Sequence, residues 1–254
     1  MSKLDTSPYK GVRDFYPEDM KIQNFIFGVW RKVVEKFGYE EYGASILELT
    51  EIYKEKSGDE IINEQTFTFL DRGERSVTLR PEMTPTLARM VAAKRRVLKF
   101  PLRWYSIPNL FRYEQPQRGR KREHWQLNCD LLGIPGLQGD REMISLVYAI
   151  MKEFGAKDDS FEIRVNNCNP SDFKDITPNV ILDESLARGQ TYYTGIVFEV
   201  FDTNKNNPRA LLGGGRYDNL LEMFDVEPTP AIGFGMGDIT MRDFLETHKL
   251  GPYA

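Results

Sequence analysis

The chain has 254 residues, with 38 acidic and 34 basic side chains and therefore a formal net charge of −4. This length is sufficient for one large domain or two small ones. Its 16 Phe, 12 Tyr and 3 Trp exclude a disordered polar chain. No apolar run approaches the roughly 20 residues of a membrane span, and the N-terminus lacks the apolar stretch of a signal peptide. The predicted location is therefore the cytoplasm.

Cysteine and histidine are too scarce for several kinds of chemistry. Cys129 and Cys168 form no CxxC pair, and His124 and His248 belong to no HExxH motif or serine-nucleophile motif. The sequence thus predicts no metal site built by the protein, no disulfide framework and no histidine-based triad. Arginines, carboxylates and tyrosines remain as the residues that could bind or react.

The predicted elements begin with a helix over residues 18–37, because Ile22, Phe25, Val29 and Val33 recur at helical spacing and Gly38 follows as a C-terminal cap. The pattern then predicts a hairpin at 67–80, a helix at 84–96, strands at 102–107, 110–114 and 125–132, a helix at 140–154, strands at 161–165 and 192–201, and a helix from about Arg216.

These strands occur in hairpin-like clusters and do not alternate regularly with helices. The sequence therefore predicts an α+β fold, an antiparallel sheet flanked by helices, and argues against a doubly wound nucleotide-binding fold. There is no internal repeat, low-complexity tract or long linker, so residues 1–254 are predicted to form a single domain.

The most informative segment is the basic stretch at residues 111–122. It contains Arg112, Arg118, Arg120, Lys121 and Arg122 in an otherwise acidic chain. Guanidinium groups bind phosphate oxygens in a planar, bidentate geometry and stay charged. The stretch predicts a phosphate-binding cleft; a solvated basic hairpin is the alternative.

A second segment, Leu79-Arg-Pro-Glu-Met-Thr84, joins a predicted strand to a predicted helix. In a functional interpretation, Glu82 faces a cleft and accepts hydrogen bonds from a ligand ammonium group. In the structural interpretation, Glu82 and Thr84 only cap the helix. The spacing alone does not separate the two.

Two further segments could line a pocket. Arg188-Gly-Gln-Thr-Tyr-Tyr193 is a plausible pocket edge, although paired tyrosines are more often half-buried packing residues. Leu212-Gly-Gly-Gly-Arg-Tyr-Asp218 allows close approach of a ligand or a neighbouring strand. Neither this segment nor Gly233-Phe-Gly-Met-Gly237 matches a phosphate-loop or dinucleotide fingerprint. If ATP binds, arginines must hold it.

In chain order, these segments resemble the histidyl-tRNA synthetases, a family of class II aminoacyl-tRNA synthetases, from about Lys10 to about Phe244. Arg112 and its neighbours, with the segment from Gln126 to Asp130, are similar to motif 2 of that class. The resemblance implies an antiparallel class II catalytic fold and usually a homodimer. It also implies histidine and ATP as substrates, Mg²⁺ as cofactor and tRNA as partner.

The resemblance also implies roles for individual residues. Arg112 and Arg188 would be catalytic, Arg188 through a contact with the α-phosphate. The residues implied to bind histidine are Glu82, Thr84 and Gln126 at the ammonium end and Asp130, Tyr192, Tyr193 and Tyr217 around the imidazole. Those implied to bind ATP are Arg112, Glu114, Arg120 and Arg188. The histidine carboxylate would attack the α-phosphorus, giving histidyl-adenylate and pyrophosphate.

The chain departs from the family pattern in several places. Thr240 stands where motif 3 supplies an arginine that stacks on adenine, and Arg242 is expected on a different side of that helix. Residues 166–186 replace an insertion domain, and no C-terminal anticodon-binding domain is expected, so tRNA binding is predicted to be weak. Two alternatives stay open: a histidine-sensing paralogue, as in the regulatory subunit of ATP phosphoribosyltransferase, and an adenylating enzyme that loads another acceptor.

Overall fold

The structure is a computed structural model and describes residues 4–54, 65–186 and 192–254. Its α-helices are α1 (Pro17–Lys36), α2 (Glu51–Lys54), α3 (Thr84–Lys94), α4 (Gly136–Glu153) and α5 (Asp238–His248). Its strands are β1 (Glu40–Glu41), β2 (Leu47–Leu49), β3 (Phe67–Leu70), β4 (Ser76–Leu79), β5 (Leu102–Ser106), β6 (Asn109–Phe111), β7 (Glu123–Leu132), β8 (Phe161–Asn166), β9 (Val180–Leu182), β10 (Val197–Asp202), β11 (Leu212–Arg216) and β12 (Ala231–Gly237). Short 3₁₀ helices lie at Pro170–Phe173, Leu220–Phe224 and Gly251–Tyr253.

The main sheet is largely antiparallel. Among the described residues it has nine strands in the order β1-β5-β7-β12-β11-β10-β8-β9, with β6 paired to β7. The outer pairs β1/β5 and β8/β9 are parallel, and the pairs between them are antiparallel. Within the described ranges, a second, three-stranded antiparallel sheet is formed by β2, β4 and β3, in that order. The predicted α+β class is confirmed.

Helices α1, α4 and α5 cover one face of the main sheet, where the larger core lies. The predicted stripe of α1 reaches this core through Ile26, Trp30 and Val33, and Gly38 follows the helix with a φ of +83°. Side chains alternate along β7, so Leu127, Cys129 and Leu131 face these helices. Polar residues at 126, 128 and 130 therefore lie on the opposite face.

Three predicted boundaries were wrong. The strand predicted at 192–201 begins only at Val197, because the chain bends at Gly195, against which the side chain of Arg216 lies. The helix predicted from Arg216 is absent there, since the Arg216 N–H donates to Ile196 O at 2.9 Å and keeps the residue in β11. The strand predicted at 110–114 ends at Phe111.

Other expectations were confirmed or stay predictions. The hairpin at 67–80 appears as β3 and β4, and the helix predicted at 140–154 begins earlier, at Gly136. In the part of the chain that the structure describes, no helix is both long and apolar enough to cross a bilayer. The single-domain interpretation and the cytoplasmic location stay predictions.

Candidate active site

The floor of the candidate site is the polar face of β7, β11 and β12, and glycines make room on it. A Cβ atom at Gly233 would lie 2.5 Å from Tyr217 Oη and 2.6 Å from Asp130 Oδ1. A Cβ atom at Gly235 would lie 2.5 Å from the amide carbon of Gln126. The glycine-rich strand therefore lets neighbouring polar side chains lie flat across the sheet.

One pocket lies on this floor, and we call it the amino-acid pocket after the role predicted for its residues. Arg112 and Asn128 line it. So do six of the seven residues predicted to bind histidine: Glu82, Thr84, Gln126, Tyr192, Tyr193 and Tyr217. The seventh, Asp130, is buried beneath Tyr217. The structure thus brings the predicted set together, while the role of each residue stays a prediction.

Asp130 and Tyr217 form a buried polar pair at the base of the amino-acid pocket. Each is 3% exposed, and Tyr217 Oη donates a hydrogen bond to Asp130 Oδ1. Burial raises the pKa of Asp130 to about 7, although the hydrogen bond from Tyr217 opposes the shift. Burial, followed by the charge of Asp130, raises the pKa of Tyr217 well above 10. This carboxyl can therefore accept a proton or a hydrogen bond near neutral pH.

Glu82 supplies a second carboxylate to the amino-acid pocket. It is 6% exposed and accepts a hydrogen bond from Tyr192 Oη at 3.2 Å. The Tyr192 ring meets those of Tyr193 and Tyr217 edge-on, with centroids 5.1 and 5.8 Å away. The capping alternative is not observed for Thr84, because it is the first residue of α3 and the N-cap makes no side-chain hydrogen bond.

A second pocket adjoins the first, and we call it the phosphate pocket after the ligand predicted for its arginines. Three of the residues predicted to bind ATP line it, namely Arg112, Glu114 and Arg120, and Lys121 lies beside them. Arg112 lines both pockets, and its Nε donates to Pro81 O at 2.9 Å, next to Glu82. Arg120 Nε lies 2.6 Å from Glu114 Oε2. The solvated-hairpin alternative therefore does not describe these side chains.

The remaining arginines of the basic stretch have other partners. Arg122 is 5% exposed, lies 3.9 Å from the centre of the Tyr113 ring and donates to Tyr9 Oη at 2.9 Å. Arg118 is exposed and donates to Asn207 Oδ1 at 3.0 Å. Arg122 therefore holds the hairpin in place, whereas Arg118 lines a further cavity.

His124 also lines the phosphate pocket, although it was not among the predicted site residues. Burial and then the charges of Arg112, Arg13 and Arg120 lower its pKa to about 3, so the ring is neutral at physiological pH. Alternation along β7 could have found both His124 and Asn128, because they lie on the same face as Gln126.

Another missed feature is the ion pair between the partly buried Arg13 and the buried Asp238. Arg13 Nη2 lies 2.7 Å from Asp238 Oδ2, and the carboxylate side chain is fully buried. Asp238 also accepts from Trp125 N at 2.9 Å and Gln23 Nε2 at 3.2 Å. One carboxylate at the start of α5 therefore fixes the N-terminal segment, β7 and α1 beside the phosphate pocket.

The remaining predicted features are Thr240 and Arg242 of motif 3 and Arg188 of the Arg-Gly segment. Thr240 lines the phosphate pocket, and Arg242 pairs with Asp19 at 3.0 Å, on a different side of α5 as predicted. Arg188, predicted to be catalytic and to bind ATP, lies outside the described residues.

The largely antiparallel sheet, its helical layer and the two adjoining pockets define the catalytic fold of a class II aminoacyl-tRNA synthetase. A sequence model of the family described as histidyl-tRNA synthetase matches residues 11–169 and 171–238. The chain therefore belongs to the histidyl-tRNA synthetase family.

Relatives and solved structures agree with this assignment. A histidine–tRNA ligase of Leptospira biflexa is 38% identical over 333 aligned positions, which are 98% of this chain and 76% of the relative. The apo structure of S. aureus histidyl-tRNA synthetase matches with a TM-score of 0.81 and 27% identity, over 99% of this chain and 72% of that one. A Bacillus halodurans structure described as an ATP phosphoribosyltransferase regulatory subunit/histidyl-tRNA synthetase shares the fold, with a TM-score of 0.81 and 22% identity over 96% of this chain and 84% of that one.

Proposed function

We propose that this protein activates histidine with ATP to form histidyl-adenylate. The main support is the position of Arg112, which lines both the amino-acid pocket and the phosphate pocket. A carboxylate bound in the first pocket and a triphosphate bound in the second would meet at this guanidinium. Bringing two reactants together in this way removes much of the entropic barrier to their reaction.

Charge and hydrogen-bonding groups in the amino-acid pocket suit both ends of histidine. Glu82 can accept from the α-ammonium group, with Thr84 and Gln126 beside it. The pair of Asp130 and Tyr217 can bind the imidazole. Selectivity follows because a side chain that cannot hydrogen-bond would leave these buried groups without a ligand partner.

The proposed reaction needs no general base from the protein, because the attacking carboxylate is already ionised. It attacks the α-phosphorus in line; a new carboxylate–phosphorus bond forms as the bond to pyrophosphate breaks. Negative charge spreads over the phosphoryl oxygens during this step. Arg112 and Arg120 can stabilise that charge once Arg120 exchanges its contact with Glu114 for a phosphate oxygen.

Mg²⁺ would arrive bound to ATP. Among the described residues, no group of three or more His, Cys, Asp or Glu side chains could hold a metal ion. In this part of the chain, side chains alone therefore do not form a complete metal site. The buried carboxylate of Glu114 in the phosphate pocket fits a Mg²⁺ whose other ligands are phosphate oxygens and water. Bound there, the ion would neutralise phosphate charge.

Histidine-dependent exchange of labelled pyrophosphate into ATP tests the proposal. The wild-type protein should catalyse exchange with histidine and not with the other amino acids. Arg112→Ala should lower the rate about a hundredfold. The control is Arg164→Ala, which should leave the rate unchanged. Arg164 lies on β8, is half-exposed and pairs with Glu162 and Asp183. A folded wild-type protein without exchange would refute the proposal.

Transfer of the histidyl group to a tRNA 3′ end is the proposed second step. Net charge is −4, so attraction to the tRNA backbone depends on local basic patches. Incubating the protein with labelled histidine, ATP and tRNA tests the step. Labelled product that forms without added tRNA would favour the other alternative, an adenylating enzyme with a different acceptor.

A histidine sensor is the second candidate function, and Thr240 at the motif 3 position favours it. In that case calorimetry would detect histidine binding, while ATP would neither bind nor turn over. The cations retained around the phosphate pocket favour the synthetase, since a histidine sensor has no need of them.

We also propose a homodimer that forms through the three-stranded sheet. Its outer face is apolar. On the edge strands, this face exposes Leu47, Leu49 and Phe69 by 43–49%. Its opposite face is polar, with hydroxyl contacts of 2.9 and 2.8 Å that join Thr50, Thr78 and Thr68. An apolar face of this kind is typical of a protein interface. Analytical ultracentrifugation of the wild type and of Leu49→Glu tests this, and the variant should be monomeric.

A further inference from the structure

The phosphate pocket adjoins a further cavity of about 290 Å³, which contains none of the residues predicted to bind ATP. Its lining includes Pro208, Arg209, Leu211 and Asp243, and it shares Gly119 and Thr240 with the phosphate pocket. Thr240 occupies the position expected to place an arginine against adenine. Its short side chain instead hydrogen-bonds to Leu211 O at 3.3 Å, so this wall of the pocket lacks a cation from α5.

Arg242 is the nearest arginine along α5 and cannot fill that place. Its Nη2 lies 3.0 Å from Asp19 Oδ1, and its Nε donates to Tyr253 Oη at 3.0 Å. These partners hold it against α1 and the C-terminal 3₁₀ helix. A cation at this wall must therefore come from another element.

Arg209, in the loop between β10 and β11, lies at this wall. A Cβ atom at Gly119 would be 2.8 Å from Arg209 Cδ and 3.6 Å from both Arg209 Nε and Thr240 Cγ2. The arginine side chain thus lies against the backbone at Gly119, and Thr240 is the other residue in contact with this position. Glycine at 119 keeps this path open.

The Arg209 guanidinium has no ion-pair partner among the residues that the structure describes. The residue is half-buried and makes no ion pair or hydrogen bond with any of the residues described, unlike Arg118 beside it. Burial and the nearby charge of Arg120 lower its pKa, and Glu114 opposes the shift. A partly desolvated guanidinium of this kind favours an anionic or aromatic ligand.

We propose that Arg209 stacks its guanidinium on the adenine of ATP, at the place that Thr240 leaves open. The β10–β11 loop thereby supplies the contact that motif 3 lacks in this chain. The inference rests on the proposed function, because it requires ATP in the phosphate pocket. Arg209 is a nucleotide-binding residue in this scheme and takes no part in bond formation.

The experiment measures the KM for ATP in pyrophosphate exchange and the Kd for ATP by calorimetry. Arg209→Ala should raise both about tenfold or more, which is typical for loss of a stacking contact on a base. Arg209→Lys should not restore affinity, because an ammonium group is not planar. The Kd for histidine should stay unchanged in both variants, and Arg242→Ala should match the wild type in its affinity for ATP.

The possible results separate this inference from the proposed function. A wild-type protein that neither binds ATP nor catalyses exchange would refute both. An active wild type together with Arg209→Ala or Arg209→Lys within twofold of it would refute the role of Arg209 alone. Thermal melting checks folding, and Arg209→Lys decides the question if the alanine variant melts early.

Discussion

Asp130→Asn should stabilise the protein in a pH-dependent manner. The carboxyl has a usual pKa of 3.8 and a pKa of about 7 in the folded protein. The folded state therefore binds the proton more tightly, and wild-type stability falls as the pH rises from about 4 to 7. A gap of roughly three pKa units lowers the free energy of unfolding of the wild type, relative to its value at low pH, by about 4 kcal/mol above pH 7 and by about 2 kcal/mol at pH 5. Asparagine carries no charge at either pH.

Urea unfolding of the wild type and Asp130→Asn at pH 5 and pH 8 measures this effect. The advantage of the variant should grow by about 2 to 3 kcal/mol between the two values. Asp159→Asn, a change at an exposed aspartate, should shift stability by less than about 0.5 kcal/mol. The same stability difference at both pH values would show that the folded protein does not hold the Asp130 carboxyl at a raised pKa.

The same substitution should weaken histidine binding. The charge-assisted hydrogen bond from imidazole to the Asp130 carboxylate would be replaced by a neutral one, which corresponds to about a tenfold loss or more. Calorimetry at pH 8, where the wild-type carboxyl is mostly ionised, measures it. Unchanged affinity would mean that Asp130 does not contact the ligand. A gain in stability together with a loss of affinity is the expected result for a buried charge kept for binding.

Three other predictions concern the surroundings of the site. Gly233→Ala should destabilise the fold by about 2 kcal/mol or more and abolish histidine binding, because its Cβ would lie 2.5 Å from Tyr217 Oη. The control is Gly28→Ala in α1, where a Cβ would meet no atom within 4 Å. This variant should be more stable than the wild type by up to about 1 kcal/mol in urea unfolding. In NMR titrations, the ring protons of His124 should show no titration from pH 5 to 9, because its pKa is about 3; a midpoint in that range would contradict its placement among arginines. Asp238→Ala should cost about 3 kcal/mol of stability, because it leaves the partly buried charge of Arg13 without its partner, and a loss below about 1 kcal/mol would show that the pair is open to solvent.

The local pattern of the sequence was enough to predict most elements, and the resemblance to a known family supplied the candidate site residues. The stripe of α1, the β3–β4 hairpin and the alternation along β7 depend on residues close together in the chain, so periodicity reveals them. The motifs around Glu82, Arg112 and Tyr217 likewise identified a group of residues that the fold brings together. Local patterns were sufficient for the elements, whereas the choice of site residues depended on the family resemblance.

Tertiary structure alone decided how each group behaves. Arg112 and Arg122 belong to the same basic stretch, yet one lines two pockets and the other is buried against Tyr113, Tyr9 and Gly11. Arg216 stays in a strand because of a hydrogen bond to Ile196, twenty residues away.

The sequence by itself determined which side chains were available, and the fold determined their charge states and contacts. Asp130 and His124 are ordinary titratable residues in the sequence, and only burial and nearby charges move their pKa values to about 7 and about 3. Desolvation and Coulomb interactions depend on distances to residues far away along the chain, which no local pattern contains.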